Sequence, residues 1–165
     1  VLVSTQDAGR PNLMTMSYLM VISEIEPLLG CNIGPWNHSY AALRATGECV
    51  VSVPAADLAE TVVRIGNCSG ADLDKFAAFG LTPLPAAQVG PPLVAELLAN
   101  LECRIEDDRL AEQYNFFIMR VKAAWADPER AERRMLHHNG NGTFVLDGET
   151  LDLTRLMTKW PSFLD

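Results

Sequence analysis

None of the four cysteines, Cys31, Cys49, Cys68 and Cys103, stands in a C-x-x-C or C-x-x-H spacing, so the sequence offers neither a zinc cage nor a dithiol motif. There is no G-x-G-x-x-G and no Gly-Lys-Ser/Thr, which removes the Rossmann and P-loop routes to a bound nucleotide. No apolar run approaches the roughly 18 residues of a membrane-spanning helix. No basic segment leads into a signal-like apolar core. Positive charge is scarce: the formal net charge is -8, and long-range repulsion then opposes nucleic acid and anionic membrane surfaces as general partners. Internal repeats and low-complexity tracts are absent as well. These absences predict a soluble, cytoplasmic protein in which any anionic ligand is held by local donors.

The chain has 165 residues, 48% of them hydrophobic, enough for one domain that buries about 70% of its unfolded surface. A single domain over 1–165 is the expectation. The sequence opens on Val1-Leu2-Val3, inside an apparent strand and without an initiator Met, so a missing N-terminal segment is expected. Val1 to Thr5 reads as a strand, Asp7 to Pro11 as a turn and Leu13 to Ile22 as the returning strand. Another apolar strand runs from Pro27 through Ile33. Gly34-Pro35-Trp36-Asn37 breaks it before a short helix over Ser39 to Ala45 that ends at Gly47. Val50 to Val53 reads as a strand. Asp57 and Glu60 have capping-box spacing ahead of a helix that places Leu58, Val62 and Ile65 on one face and stops at Gly66. A second helix is expected over Asp72 to Phe79.

Gly80 to Pro92 carries four prolines and two glycines and reads as an ordered loop or a surface crossing rather than a regular element, and not as a domain boundary. Leu98 to Glu106 and Asn115 to Ala126 read as long strands. Thr143 to Leu146 is expected to pair with Glu149 to Leu153 through an Asp147-Gly148 turn. Many strands with short helices and no regular strand-helix-strand alternation predict a mainly β fold with short helices, a closed or partly open barrel.

The segment most suggestive of chemistry is Asn12-Leu13-Met14-Thr15-Met16-Ser17-Tyr18. In an extended strand, Thr15 and Ser17 share one face while Met14, Met16 and Tyr18 share the other. A flat heteroaromatic ring could lie edge-on to such a strand and take hydrogen bonds from its backbone, with short hydroxyl side chains permitting close approach. Hydroxyls on the outer face of a half-solvated strand are equally ordinary. Asn37-His38-Ser39 opens a helix, whose free N-H groups can hold a phosphate even on an acidic protein; Asn37 or Ser39 could also be a plain N-cap. Lys75 is one of three lysines and is either a phosphate partner or a solvated surface cation. Cys68 sits in the small polar loop Gly66 to Gly70, as a ligand-facing thiol or an ordinary loop residue. Cys31, Cys49 and Cys103 read as small hydrophobes. His137-His138 precede a glycine-rich stretch and either touch a ligand or are simply exposed.

Taken in order and spacing, these pieces resemble the flavin reductase-like proteins with an FMN-binding split barrel, including the flavoredoxins. The resemblance covers nearly the whole chain. It rests on Asn12 to Ser17, Asn37-His38-Ser39 with Gly47 to Val50, Gly66 to Gly70, Asp74-Lys75-Phe76, and Leu101-Glu102-Cys103. It implies a homodimeric split β-barrel of Greek-key, FMN-binding type, with the isoalloxazine against Thr15, Met16 and Ser17. It further implies that Asn37, His38 and Ser39 contact the ribityl phosphate, and that Asn67, Cys68, Ser69, Lys75 and Phe76 complete the pocket. Tyr18 stands where similar sequences often carry Trp.

The reaction implied by the resemblance needs no covalent nucleophile and no general base among the side chains. NADH or NADPH would stack on the exposed flavin face and pass hydride to N5, with backbone donors stabilising the reduced ring. Three readings follow: an NAD(P)H-dependent FMN reductase that could serve a partner oxygenase; a flavoredoxin-type electron carrier; or a flavin-free β-barrel binding module.

Overall fold

The computed structural model describes residues 1–23 and 25–156; the end of the expected 1–165 domain, from 157 onward, lies outside them. The chain forms β1 (Leu2–Asp7), β2 (Arg10–Thr15), β3 (Leu19–Ser23), β4 (Leu28–Asn32), α1 (Ser39–Thr46), β5 (Glu48–Val53), α2 (Ala59–Gly66), α3 (Lys75–Phe79), β6 (Pro83–Leu84) and β7 (Leu93–Val94). It continues through β8 (Ala99–Asp107), α4 (Ala111–Tyr114), β9 (Phe116–Ala126), β10 (Leu136–His138) and β11 (Phe144–Leu146). No helix among the described residues is long and apolar enough to cross a membrane.

Seven strands form one antiparallel sheet in the order β2-β1-β5-β8-β9-β4-β3. Its two edge strands, β2 and β3, are consecutive in sequence and joined only by Met16-Ser17-Tyr18. Four residue steps from Thr15 to Leu19 span at most about 14 Å, so the sheet must curl until its edges nearly meet. The result is a barrel split between β2 and β3. The expected single strand over Leu13 to Ile22 is therefore corrected: one extended run pairs with β1 through its first half and with β4 through its second. Its alternation breaks at the seam, where Met14 and Met16 are buried while Tyr18 is 77% exposed.

Each face of the curled sheet has its own core. Val3, Met14, Met16, Cys31, Cys49, Cys103, Phe117 and Met119 fill one side, with Leu43 of α1 packed among them. Leu2 and Leu13, on the opposite face, pack against Val62 and Ile65 of α2 and Phe76 of α3. The alternation of Leu2 and Val3, or Leu13 and Met14, thus supplies both cores from the same strands. Gly47 closes α1 with φ of 70° and an N-H bond to Leu43, the left-handed stop expected there.

The expected capping box does not form. No side chain caps α2, because Asp57 instead forms an ion pair with Arg130. Helix α3 is shorter than expected: Asp74, not Asp72, is its N-cap and accepts from Ala77 N-H. The proline-rich segment, expected to hold no regular element, carries the short strand β6, which pairs with β7 through Pro83 opposite Val94 and Leu84 opposite Leu93. Glu102, buried in β8, accepts from Ala87 N at 3.0 Å, Gln88 N at 2.5 Å and Trp125 Nε1 at 2.7 Å.

The hairpin expected around Asp147-Gly148 is also corrected. Strand β11 pairs back with β10 through the 139–143 loop, His137 opposite Val145, and 149–153 is not a strand. Asp147 holds the base of that hairpin by accepting from Met135 N at 2.9 Å and pairing with His137 Nε2 at 2.6 Å. A carboxylate engaged in this way is unavailable to shape a two-residue turn.

Candidate functional site

Two adjoining depressions run along β2, between the start of α1 and the 66–74 loop. The smaller, about 140 Å³, is lined by Thr15, Asn37, His38, Cys68, Ser69 and Lys75, together with Asn12, Trp36, Gly66 and Gly70. The larger, about 490 Å³, continues toward the β1–β2 turn and shares Asn12, His38 and Gly70 with the first. The small cavity brings together six of the residues singled out from the sequence.

Lys75 is neither a solvated cation nor a free one. Its side chain is buried, and its Nζ donates a 2.9 Å hydrogen bond to Ile65 O in the last turn of α2. Removal from water pulls the Lys75 ammonium below its ordinary range, opposed by the neighbouring Cys68. With one acceptor engaged, this three-donor group keeps hydrogens for an anion. Ser69 Oγ accepts from Ala71 N, so its own proton can be donated. Thr15 Oγ1 donates to Val62 O at 2.7 Å, tying β2 to α2 and leaving the hydroxyl an acceptor toward a ligand.

At the start of α1, neither Asn37 nor Ser39 acts as the side-chain cap expected. His38 occupies the N-cap position without a side-chain cap bond, and the first turn holds no acidic residue. Asn37 Oδ1 accepts from Gly34 N at 3.1 Å and so braces the preceding turn. Ser39 is buried behind the cavity, where its Oγ accepts from Asn12 Nδ2 at 2.8 Å. Cys68 is half-buried, its Sγ 3.6 Å from Ile65 O.

Four other residues expected in the site lie off the cavity. Met16 belongs to the barrel core and Phe76 to the outer core. Asn67 is exposed and donates from Nδ2 to Val63 O. Ser17 is exposed on the seam, its Oγ 3.5 Å from His138 Nδ1, while the His138 ring stacks on Phe144 at 4.8 Å. The β10–β11 hairpin therefore reaches the same seam as the hydroxyl strand.

The structure also shows residues that the sequence reading did not assign. Asn12 is 8% exposed, with Oδ1 unpartnered. A β-carbon at Gly70 would lie 2.0 Å from that Oδ1 and 2.9 Å from His38 Cδ2, so only glycine permits this approach. Trp36 folds its indole over Gly34, where a β-carbon would fall 2.3 Å from Cη2. Asn12 was visible within its motif, but nothing in the sequence distinguished a strand asparagine facing a cavity from one facing water.

Comparison with known proteins places this architecture. An FMN-binding domain of a flavin reductase-like enzyme from Shewanella baltica superposes with a TM-score of 0.85 at 26% identity, covering 92% of this chain and 87% of that one. A flavoredoxin from Desulfovibrio vulgaris shares the fold with a TM-score of 0.83 at 23% identity and the same coverage. Among sequence relatives, an uncharacterised protein of Archaeoglobus fulgidus is 32% identical over 109 residues, 66% of this chain and 62% of its own length. The uncharacterised YddH of Escherichia coli is 27% identical over 90% of this chain and 86% of its own. The split barrel and the β2 cavity lie within residues 1–144, which match the model of the flavin reductase-like domain, and the chain belongs to that family.

Proposed function

We propose that this protein is an FMN-binding flavin reductase, working as a homodimer in the cytoplasm and passing hydride from NADH or NADPH to flavin. The observation that carries this reading is Lys75, a buried cation with spare donors in a cavity that also holds Ser69, Thr15 and the uncapped start of α1. Those donors, with the Thr15 hydroxyl as an acceptor, suit a phosphate and a polyol, and the close Gly70–Asn12 approach fits a cradle for an extended chain. A cavity of about 140 Å³ is smaller than the roughly 300–1,000 Å³ of small-molecule sites. It suits the phosphate and ribityl portion, with the ring lying outside against the Thr15 to Ser17 seam.

Bound flavin supplies a hydride acceptor at N5. The chain's own contribution is positional. Lys75 would neutralise the phosphate, Thr15 and Ser69 would orient the ribityl chain, and the Ser17–Tyr18 backbone would face the ring, since the Met16 N-H and carbonyl are already paired with Val1. Support for two copies comes from β3, an edge strand on which Met20, Val21 and Ile22 are all exposed, next to the 96% exposed Ile25. Such a strand carries apolar groups on both faces and invites a covering chain. Reduced flavin leaving the site would suit a partner oxygenase.

The test is FMN titration followed by anaerobic addition of NADH, then NADPH. Saturable binding that Lys75→Met weakens about tenfold, with rapid bleaching, supports the reductase. Binding without bleaching by either nucleotide replaces it with a flavoredoxin-type carrier.

A further inference from the structure

The β10–β11 hairpin turns through Asn139-Gly140-Asn141-Gly142-Thr143, an exposed loop that holds two Asn-Gly pairs. An Asn-Gly pair can close on itself: the glycine nitrogen attacks the asparagine amide carbon, and no side chain on the glycine obstructs the approach. Local sequence makes the two pairs near equals, and the fold separates them.

Asn141 Oδ1 accepts from Thr143 N at 3.1 Å and from Thr143 Oγ1 at 2.7 Å. The first bond is an Asx turn, which folds the side chain back over the Gly142 nitrogen. Two donors on one carbonyl oxygen also draw charge from Cγ and stand where an attack would create an oxyanion. Asn139 Nδ2 in turn donates to Thr143 Oγ1 at 2.9 Å, which leaves the hydroxyl proton to point at Asn141. The attacking atom has its own partner: Gly142 N donates to His138 Nε2 at 3.3 Å. Accepting there places the ring proton on Nδ1, 3.5 Å from Ser17 Oγ, and the ring is held by its stacking on Phe144 at 4.8 Å. Asn139 has neither feature. Its amide nitrogen is engaged across the loop by Thr143, and among the described residues no side chain accepts from Gly140 N.

We propose that Asn141 is a self-modification site at which the hairpin promotes its own deamidation, with His138 as the base. His138 Nε2 takes the proton from Gly142 N, and the nitrogen bonds to Asn141 Cγ while Thr143 holds the charge on Oδ1. The Cγ–Nδ2 bond then breaks, the imidazolium returning the proton to Nδ2 so that ammonia leaves and a succinimide remains. Water opens that ring at either carbonyl, giving aspartate or isoaspartate. Water is consumed and ammonia released, with no oxidant or reductant. The base lies in the Gly142 peptide plane, along the N-H bond, whereas Cγ approaches across that plane, so the two do not compete for space. Isoaspartate adds a methylene to the backbone and either product adds a negative charge, in the loop that sets His137 opposite Val145. This site stands apart from the flavin reading and does not depend on it.

Site-resolved mass spectrometry of the whole protein, held for days at neutral pH and physiological temperature, tests the proposal, with the same chain unfolded in urea as reference. In the folded protein Asn141 should convert at least about fivefold faster than Asn139, and faster than Asn141 does in urea, where the two rates should come within about twofold of each other. Isoaspartate should appear beside aspartate at Asn141. His138→Gln can still accept the Gly142 hydrogen bond but cannot carry its proton, and should slow Asn141 about tenfold. Thr143→Val, close in shape, should slow it as well by removing one donor from Oδ1.

The proposal is overturned if the folded protein converts Asn139 as fast as Asn141, or converts Asn141 no faster than the unfolded chain. Both comparisons are made on the unaltered sequence, so neither depends on a variant folding. An Asn141 rate unchanged by His138→Gln or by Thr143→Val also overturns it.

Discussion

Lys75 Nζ and the Ile65 carbonyl oxygen are 2.9 Å apart, so one side chain closes the last turn of α2 and charges the cavity. Lys75→Met keeps most of the volume but removes both functions. FMN affinity should fall about tenfold, equivalent to about 1.4 kcal/mol, and the melting temperature should drop slightly because the buried Ile65 carbonyl loses its ammonium donor and keeps only the Cys68 thiol. Fluorescence titration and thermal melting check the two effects separately.

The same lysine gives a pH dependence. Burial lowers its pKa from 10.5, so in the folded protein the proton leaves earlier than in the unfolded chain. The buried ammonium opposes folding at neutral pH, and that opposition fades as pH rises through the folded value toward 10.5. Phosphate binding requires the charged form, so FMN affinity should fall over that alkaline window, below the usual lysine range. In Lys75→Met the decline should disappear.

Gly70→Ala forces a β-carbon to within 2.0 Å of Asn12 Oδ1. Asn12 is held by Ser39, so the strand or the loop must move, at a cost of about 1–3 kcal/mol. FMN binding should be lost or strongly weakened. Gly148→Ala, with no atom near the added carbon, is the neutral control, and melting curves of the two variants beside FMN titrations make the comparison.

Glu102 should matter for stability without touching flavin. Burial alone would raise its pKa, but hydrogen bonds from Ala87 N-H, the Trp125 indole and neighbouring backbone amides outweigh that and hold it below 4.5. Its stabilising contribution is complete above 4.5 and is lost as pH falls through the lowered folded value. Glu102→Ala leaves buried donors unpaired and should cost about 2–4 kcal/mol by denaturant unfolding, with FMN affinity in the folded protein unchanged.

Thiol reactivity should be selective. Cys31, Cys49 and Cys103 are buried; burial, reinforced by Cys103, pushes Cys31 up to about 12, and a hydrogen bond with Cys103 together with burial raises Cys49. Only the half-buried Cys68 should react with a thiol reagent under native conditions. FMN should slow that reaction because Cys68 lines the same cavity, a protection readable by mass spectrometry.

Elements stabilised locally could be read from the sequence. Helix α1 and its Gly47 stop, and the long strands β8 and β9, matched their apolar patterning and turn chemistry. Elements decided by distant partners could not. Leu13 to Ile22 looks like one strand because nothing local reveals that its halves pair at opposite sheet edges. Asp147-Gly148 looks like a turn until His137 claims the carboxylate. Lys75 illustrates the same limit within the site: its charge suggested exposure, but Ile65 O, ten residues away, holds it inside. Phe76, placed in the pocket by resemblance, instead fills the core behind it because the short α3 buries both residues.

The most direct test of the account is the visible spectrum of FMN-titrated protein, followed anaerobically on addition of NADH. Saturable binding is expected, with the flavin band bleaching within seconds. Unshifted FMN fluorescence at saturating protein, with no rise in melting temperature, would contradict it.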